Sequence, residues 1–381
     1  MLRVHFLYFL VSCLLAIGEI ADCVGAGTLT VNPPEVTLQR PEATQQIVVY
    51  DTDSTGRALD ITRKVSIHID PPDIAVVDER GLIRPQVNGK GLIVIDFADQ
   101  RTAIPITIRQ LDNPVPISFH REIIPILTKA GCNSGGCHGK AEGQNGLKLS
   151  IFGYDARADF EALVLEGRGR RVSVASPENS LLLLKASART SHGGGQRIEP
   201  ESYRDRRLLR WVSEGARFNA NDDPASEITG IQIEPEQQIL LGRETQQIQV
   251  STIDASGNRR CVTNETEFVS NAASIADVDA RGLIQASEIP GEAAILVRHL
   301  GHVATCRITV PRRGVKFVRP PENNFIDTLA WNKLERLGIE PSDLSDDATF
   351  VRRVSLDTIG TLPTPAEVRQ FLNDPSPKKR S

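Results

Sequence analysis

The 381-residue chain is poor in aromatic side chains, at 5%, and holds a single methionine, Met1. No thioether ligand therefore exists beyond the first residue. It has no basic surplus: 44 Lys and Arg face 48 Asp and Glu, for a formal net charge of -4. That balance excludes the electrostatic footprint of a nucleic-acid binder or of a protein drawn to anionic membranes. No P-loop and no dinucleotide glycine fingerprint occurs. The G-x-S-x-G elbow of serine hydrolases is missing too, so the esterase-like run His192-Gly193-Gly194-Gly195 lacks a nucleophile. No apolar run after the first residues is long enough to cross a bilayer.

What is present begins with a leader. Arg3 supplies a positive start, and Val4 to Ile17 is apolar except for His5 and Ser12. Val24-Gly25-Ala26 then offers the small residues that a signal peptidase cuts after. Residues 1–26 are expected to be a signal peptide, which places the mature protein in the periplasm or outside the cell with no transmembrane span. Leu10-Val11-Ser12-Cys13 has the outline of a lipoprotein box, but too few apolar residues precede it. Export permits disulfides. Of six cysteines, Cys13 and Cys23 fall in the leader, leaving Cys132, Cys137, Cys261 and Cys306.

The middle of the chain is framed by a repeat. Thr44-Gln45-Gln46-Ile47 recurs as Thr245-Gln246-Gln247-Ile248, Ile74-Ala75 as Ile275-Ala276, and Arg80-Gly81-Leu82-Ile83 as Arg281-Gly282-Leu283-Ile284. Each pair is 201 residues apart (245 − 44, 275 − 74, 281 − 80), and chance does not readily keep register across several motifs. Short apolar runs alternate with polar residues, and Asp53-Ser54-Thr55-Gly56 and Asp254-Ala255-Ser256-Gly257 mark turns. Both copies, 27–111 and 228–311, are expected to be β-sandwiches. Asp60-Ile61-Thr62 and the I-A-x-V-D-x-x-G-L-I run resemble bacterial immunoglobulin-like (Ig-like) group 2 domains. That resemblance implies spacer or adhesion modules. Cys261 stands where the first copy has Asp60. Cys261 and Cys306 share one sandwich, so a disulfide between them is expected after export, with two separate buried thiols as the alternative.

Residues 115–218 differ in character. Phe119 to Leu127 reads as a helix limited by Pro125, followed by Gly131-Cys132-Asn133-Ser134-Gly135-Gly136-Cys137-His138-Gly139. Covalent haem attachment needs two thiols to add to two vinyl groups and a histidine directly after the second thiol. Four residues separate the cysteines here instead of the usual two, and Ser134, Gly135 and Gly136 supply a pliant loop. A small disulfide between Cys132 and Cys137, with His138 incidental, is the competing reading, and a zinc site a weaker one. Downstream stand Pro177-Glu178-Asn179-Ser180-Leu181-Leu182, the loop at His192, and a helix closing in Trp211-Val212-Ser213-Glu214-Gly215-Ala216.

This order resembles the planctomycete-type cytochrome c module, a relative of class I cytochromes. The resemblance implies haem c bound by Cys132 and Cys137, iron held by His138, and single-electron exchange with an unknown redox partner. Relatives often carry Met-Pro-Pro in the distal loop. With methionine excluded, His192 is the expected second iron ligand, His120 the next candidate, and an open iron the third. The plainer reading of His192 is a solvated loop histidine.

From Asn324 the pattern turns helical. Asn324-Phe325-Ile326-Asp327, Asp346-Asp347-Ala348-Thr349-Phe350 and Gly360-Thr361-Leu362-Pro363-Thr364-Pro365 resemble the opening of a planctomycete domain of unknown function. Residues 324–381 are expected to form a truncated helical stub. The fold class is thus two all-β Ig-like sandwiches flanking a mainly α class I cytochrome c-like domain. The leading functional expectation is an exported c-type cytochrome. The alternatives are a non-redox cell-surface or adhesion protein with structural cysteines, or an accessory of a polysaccharide-degrading system.

Overall fold

The computed structural model describes residues 28–218 and 226–380. The expected leader, 1–26, lies outside the described residues. The first repeat folds into β1 (Thr28–Asn32), β2 (Val36–Leu38), β3 (Gln45–Gln46), β4 (Val48–Thr52), β5 (Ala58–Asp60), β6 (Ser66–Asp70), β7 (Ala75–Val77), β8 (Leu82–Pro85), β9 (Gly89–Phe97) and β10 (Gln100–Ile108). Its sheets run β1-β4-β5, β2-β10-β9-β6 and β3-β8-β7. The second repeat gives β11 (Ile228–Glu234), β12 (Gln237–Ile239), β13 (Thr245–Gln247), β14 (Gln249–Asp254), β15 (Arg259–Cys261), β16 (Glu267–Ser270), β17 (Ala276–Val278), β18 (Leu283–Ala286), β19 (Gly291–His299) and β20 (His302–Val310). Its sheets repeat the same orders: β11-β14-β15, β12-β20-β19-β16 and β13-β18-β17. Both copies are Ig-like β-sandwiches.

Period-two patterning explains the strands. On β9 and β10, Ile93, Ile95, Ile104, Ile106 and Ile108 point inward and are buried. On β19 and β20 the inward set is Ala293, Ile295, Val297, Cys306, Ile308 and Val310. Each fully buried Ile or Val contributes about 1.5–3 kcal/mol. The Asp60-Ile61-Thr62 step closes a corner: Thr62 N–H donates to Asp60 Oδ1 at 2.9 Å, and Thr62 Oγ1 accepts from Val49 N–H at 2.9 Å. Thr263 repeats the second bond with Val250 N–H, also at 2.9 Å.

The expected disulfide does not form; Cys261 and Cys306 are free thiols. Strand parity is the reason. Val262 enters the second core together with Cys306, so its neighbour Cys261 faces the other way. There it accepts Gln46 N–H of the first sandwich at 3.4 Å.

That contact is half of a reciprocal pair. Gln247, the repeat equivalent of Gln46, donates its N–H to Asp60, the equivalent of Cys261, at 2.6 Å. The two copies therefore meet much as protomers do across a two-fold interface, each presenting the same patch to the other.

Between the repeats lies a helical unit with its own core. It contains α1 (Ile124–Lys129), α2 (Ala156–Phe160), α3 (Leu181–Ala186) and α4 (Tyr203–Ser213). Phe119 packs against Trp211 and Phe160, with ring centroids 5.3 Å apart in both pairs. Ser202 caps α4 by accepting Asp205 N–H. The longest regular α-helix here has 11 residues. The segment is a set of short helical turns, and the mainly α class I cytochrome c-like domain expected there is not shown.

The tail folds as α5 (Phe325–Leu337), α6 (Asp347–Ile359) and α7 (Pro365–Asn373). Thr364 and Glu367 form a capping box on α7. Lys333 and Arg336 of α5 reach Glu292 on β19 at 2.8 and 3.1 Å. Among the described residues no helix is long and apolar enough to cross a membrane.

Candidate functional site

The loop singled out by its cysteines is tightly ordered. It leaves α1 through Cys132, whose N–H donates to Leu127 O at 2.8 Å. His138 N–H then turns back onto Cys132 O at 3.0 Å. Gly139 is required: a Cβ there would lie 2.2 Å from Asn133 O. Asn133 is fully buried and its Nδ2 donates to Thr128 Oγ1 at 2.9 Å, holding the loop against α1. Cys132 and Cys137 are free thiols. Cys132 packs on the helical core, and burial pushes its thiol up to about 11. Arg197 Nη2 approaches Cys137 Sγ at 3.6 Å.

The structure also brings His138 and His192 together. Their rings are nearly parallel, at 8°, with centroids 6.4 Å apart. His138 Nδ1 pairs with Leu147 O at 3.1 Å, and His192 Nδ1 with Gly195 O at 2.8 Å. A carbonyl oxygen only accepts, so Nδ1 is the donor in both rings. Burial, followed by the neighbouring His192, holds the His138 imidazole below its ordinary range, against the Leu147 carbonyl, which raises it. His120 lies in the first helical turn, with an exposed side chain.

A second feature had no counterpart in the sequence reading. Three ion pairs weld the helical unit to both sandwiches. Arg210 of α4 meets Glu42 at 2.9 Å, Arg207 meets Glu265 at 2.7 Å, and Arg40 meets Glu122. Arg260 also reaches Glu265, at 2.7 Å. Burial alone would raise the Glu265 carboxyl, but Arg207 and Arg260 outweigh it and hold the group well below the usual carboxylate range. One signal was there to read: Arg207 stands one helical turn before Trp211, on the buried face of α4.

Beside this weld, a cleft of about 1020 Å³ opens between the two sandwiches and the helical unit. Its walls include Asn32, Gln45, Gln249, Ser251, Arg259 and Cys261.

Compared with known proteins, residues 325–381 match a family model described as PSCyt2, protein of unknown function (DUF1549). No curated protein matches. Among solved structures, domains 5–6 of the S-layer protein SbsC are similar at 12% identity and a TM-score of 0.31, over 75% of this chain and 99% of that one. Invasin, a bacterial integrin-binding protein, is similar at 9% identity and a TM-score of 0.16, over 76% of this chain and 39% of that one. The adhesin InvE of Yersinia pseudotuberculosis is similar at 9% identity and a TM-score of 0.15, over 75% of this chain and 59% of that one.

The resemblance noted in the tail is thus matched by a family model, whereas the cytochrome resemblance is not. The expectation of haem, iron and electron transfer is corrected accordingly. Among the described residues no group of three or more His, Cys, Asp or Glu side chains is placed to hold a metal ion. The loop gathers a facing pair of imidazoles and two free thiols. The family match lies outside it, and the similar solved structures are surface-layer and adhesin proteins.

Proposed function

We propose that the chain is a non-redox structural or adhesive protein of the cell surface, with cysteines that serve packing. The observation that carries this reading is the reciprocal contact between the two sandwiches, reinforced by buried ion pairs to the helical unit. Tandem sandwiches joined by flexible linkers bend; these two are locked face to face with a third body wedged against both. Such a unit suits load-bearing or the display of a fixed surface. The leader expected from the sequence adds a route out of the cytoplasm. Cys306 fills a core position and Cys132 packs on the helical core, which supports a structural role for the thiols.

Protease shaving of intact cells, with surface biotinylation as a second readout, tests the location. The chain should be cleaved and labelled from outside. Recovery only from the cytoplasm would overturn the reading. So would a purified protein carrying a chromophore covalently attached at Cys132 and Cys137.

A further inference from the structure

We propose that His299 is a proton-operated latch between the helical unit and the second sandwich, and that mild acid loosens this one interface while both bodies stay folded. The ring stands at the end of β19, 3% exposed, on the row that carries Ala293, Ile295 and Val297 into the core. Neither ring nitrogen makes a hydrogen bond among the described residues. The Glu265 backbone lies near enough to favour protonation of the ring, without the geometry of a bond. The next residue, Leu300 at the hairpin tip, packs against the core of the helical unit. His299 thus sits where the two bodies close on each other.

The repeat shows that the sandwich itself does not need this histidine. Phe97 pairs with Gln100 at the end of β9 as His299 pairs with His302 at the end of β19. Phe97 packs on the first core. Arg260 stands where the first copy has Leu59, and Glu265 where it has Lys64. That end of the first sandwich faces water, with Lys64 and Ala98 exposed. The combination of His299, Arg260 and Glu265 therefore belongs to the copy whose end is docked.

The charges around the ring suit its neutral form. The Glu265 carboxylate is shared between Arg207 of α4 and Arg260 of β15, each at 2.7 Å. Glu122 is claimed by Arg40. Lys129 of α1 donates to Thr266 O, and Tyr203 of α4 donates to Asn264 O at 2.7 Å. His302 faces His299 across the hairpin, and Arg298 beside it pairs with Glu267 at 3.5 Å. Protonation of His299 would add a buried, unbonded cation with no carboxylate left for it. Arginines hold Glu122 and Glu265 below the usual carboxylate range against the raising effect of burial, so both stay charged in mild acid. Burial keeps the closed ring neutral down to about 4, against Glu265, which raises it. When α4 withdraws, Arg207 leaves with it, water reaches the ring, and the imidazolium can pair with Glu265. The open form thus takes up a proton near the ordinary 6.5 and the closed form only near 4. Opening is therefore favoured as pH falls between those values.

The test is hydrogen exchange with mass spectrometry on the full chain at pH 7 and pH 4.5, each corrected for the intrinsic rate. Residues 203–207 and 260–266 form the two sides of the interface. Their protection should fall about fifty-fold, while β9 and β10 of the first sandwich keep theirs. His299→Phe, which installs the residue of the first copy, should abolish the fall. No fall in wild type, an equal fall in His299→Phe, or an equal loss across β9 and β10 would overturn the proposal. The second result would assign the acid response to His302 or another group at the weld, and the third would make it a general loosening. If His299→Phe fails to fold at pH 7, His299→Gln, which carries no titrating ring, decides by the same criterion.

Discussion

Cys261 shows how much one residue of strand phase decides. A shift of one position exchanges inside for outside, so its spacing from Cys306 says nothing about whether the two thiols meet. Alkylation of the denatured, unreduced protein should therefore label both cysteines, and protection of both would restore the disulfide. His299 offers a second measurement at this scale. It is buried, and burial pushes its imidazole down to about 4, against the raising effect of Glu265. The unfolded chain binds a proton near the ordinary value of 6.5, and the folded chain does not until about 4. Stability from this residue is thus complete above 6.5 and is lost as pH falls toward 4. His299→Leu should flatten urea-measured stability across that window, where wild type loses about 3 kcal/mol. A wild-type stability independent of pH between 4 and 6.5 would refute the assignment.

At the scale of elements, turns and welds can be ranked. Gly56 and Gly81 both adopt left-handed backbone, with φ of +83° and +74°. A Cβ on Gly56 meets nothing within 4 Å, whereas one on Gly81 would lie 2.7 Å from Thr62 Cγ2 and 2.9 Å from Ile47 O. Gly56→Ala should cost about 1 kcal/mol from backbone strain alone. Gly81→Ala adds a collision at the corner held by Thr62 and should cost clearly more, which paired thermal melts will read. Glu265→Ala leaves the buried Arg207 and the half-buried Arg260 without their shared carboxylate, and should destabilise by about 3 kcal/mol. Because the Glu265 carboxyl sits below the ordinary carboxylate range when folded, its contribution is present above that range. It is lost progressively as pH falls from that range down through the depressed value of the folded state. An acid-unfolding curve of Glu265→Gln that overlays wild type would contradict this.

Across the whole molecule, the sandwiches were legible because a repeat and a period of two are both linear signals. The 201-residue offset carries over to matched sheet orders, and Asp60-Ile61-Thr62 marks a real corner. The relation between the copies was not legible. Which outward face of a strand meets another body depends on docking, and Gln46, Gln247 and Asp60 look like solvent-facing polar residues until both sandwiches are placed. The cysteine loop failed differently. A motif fixes which groups lie on one loop, while a metal centre depends on what the rest of the fold brings to it. The welds at Glu42 and Glu265 join all three bodies, so scanning calorimetry should show one cooperative transition. The double substitution Arg207→Met and Arg210→Met should split it in two. A wild type that already melts in separate steps would show that the welds do not couple the bodies.

The reciprocal contact between the copies also bears on ancestry. Two equivalent patches that bind each other are what a homodimer presents, and a duplicated gene inherits that dimer inside one chain. Fusion turns encounter between separate molecules into folding at a high effective concentration. Once the partners no longer need to find each other, each patch is free to change without the other. Asp60 and Cys261, Tyr50 and Ser251 are pairs of equivalent positions at which the two patches differ while still touching each other.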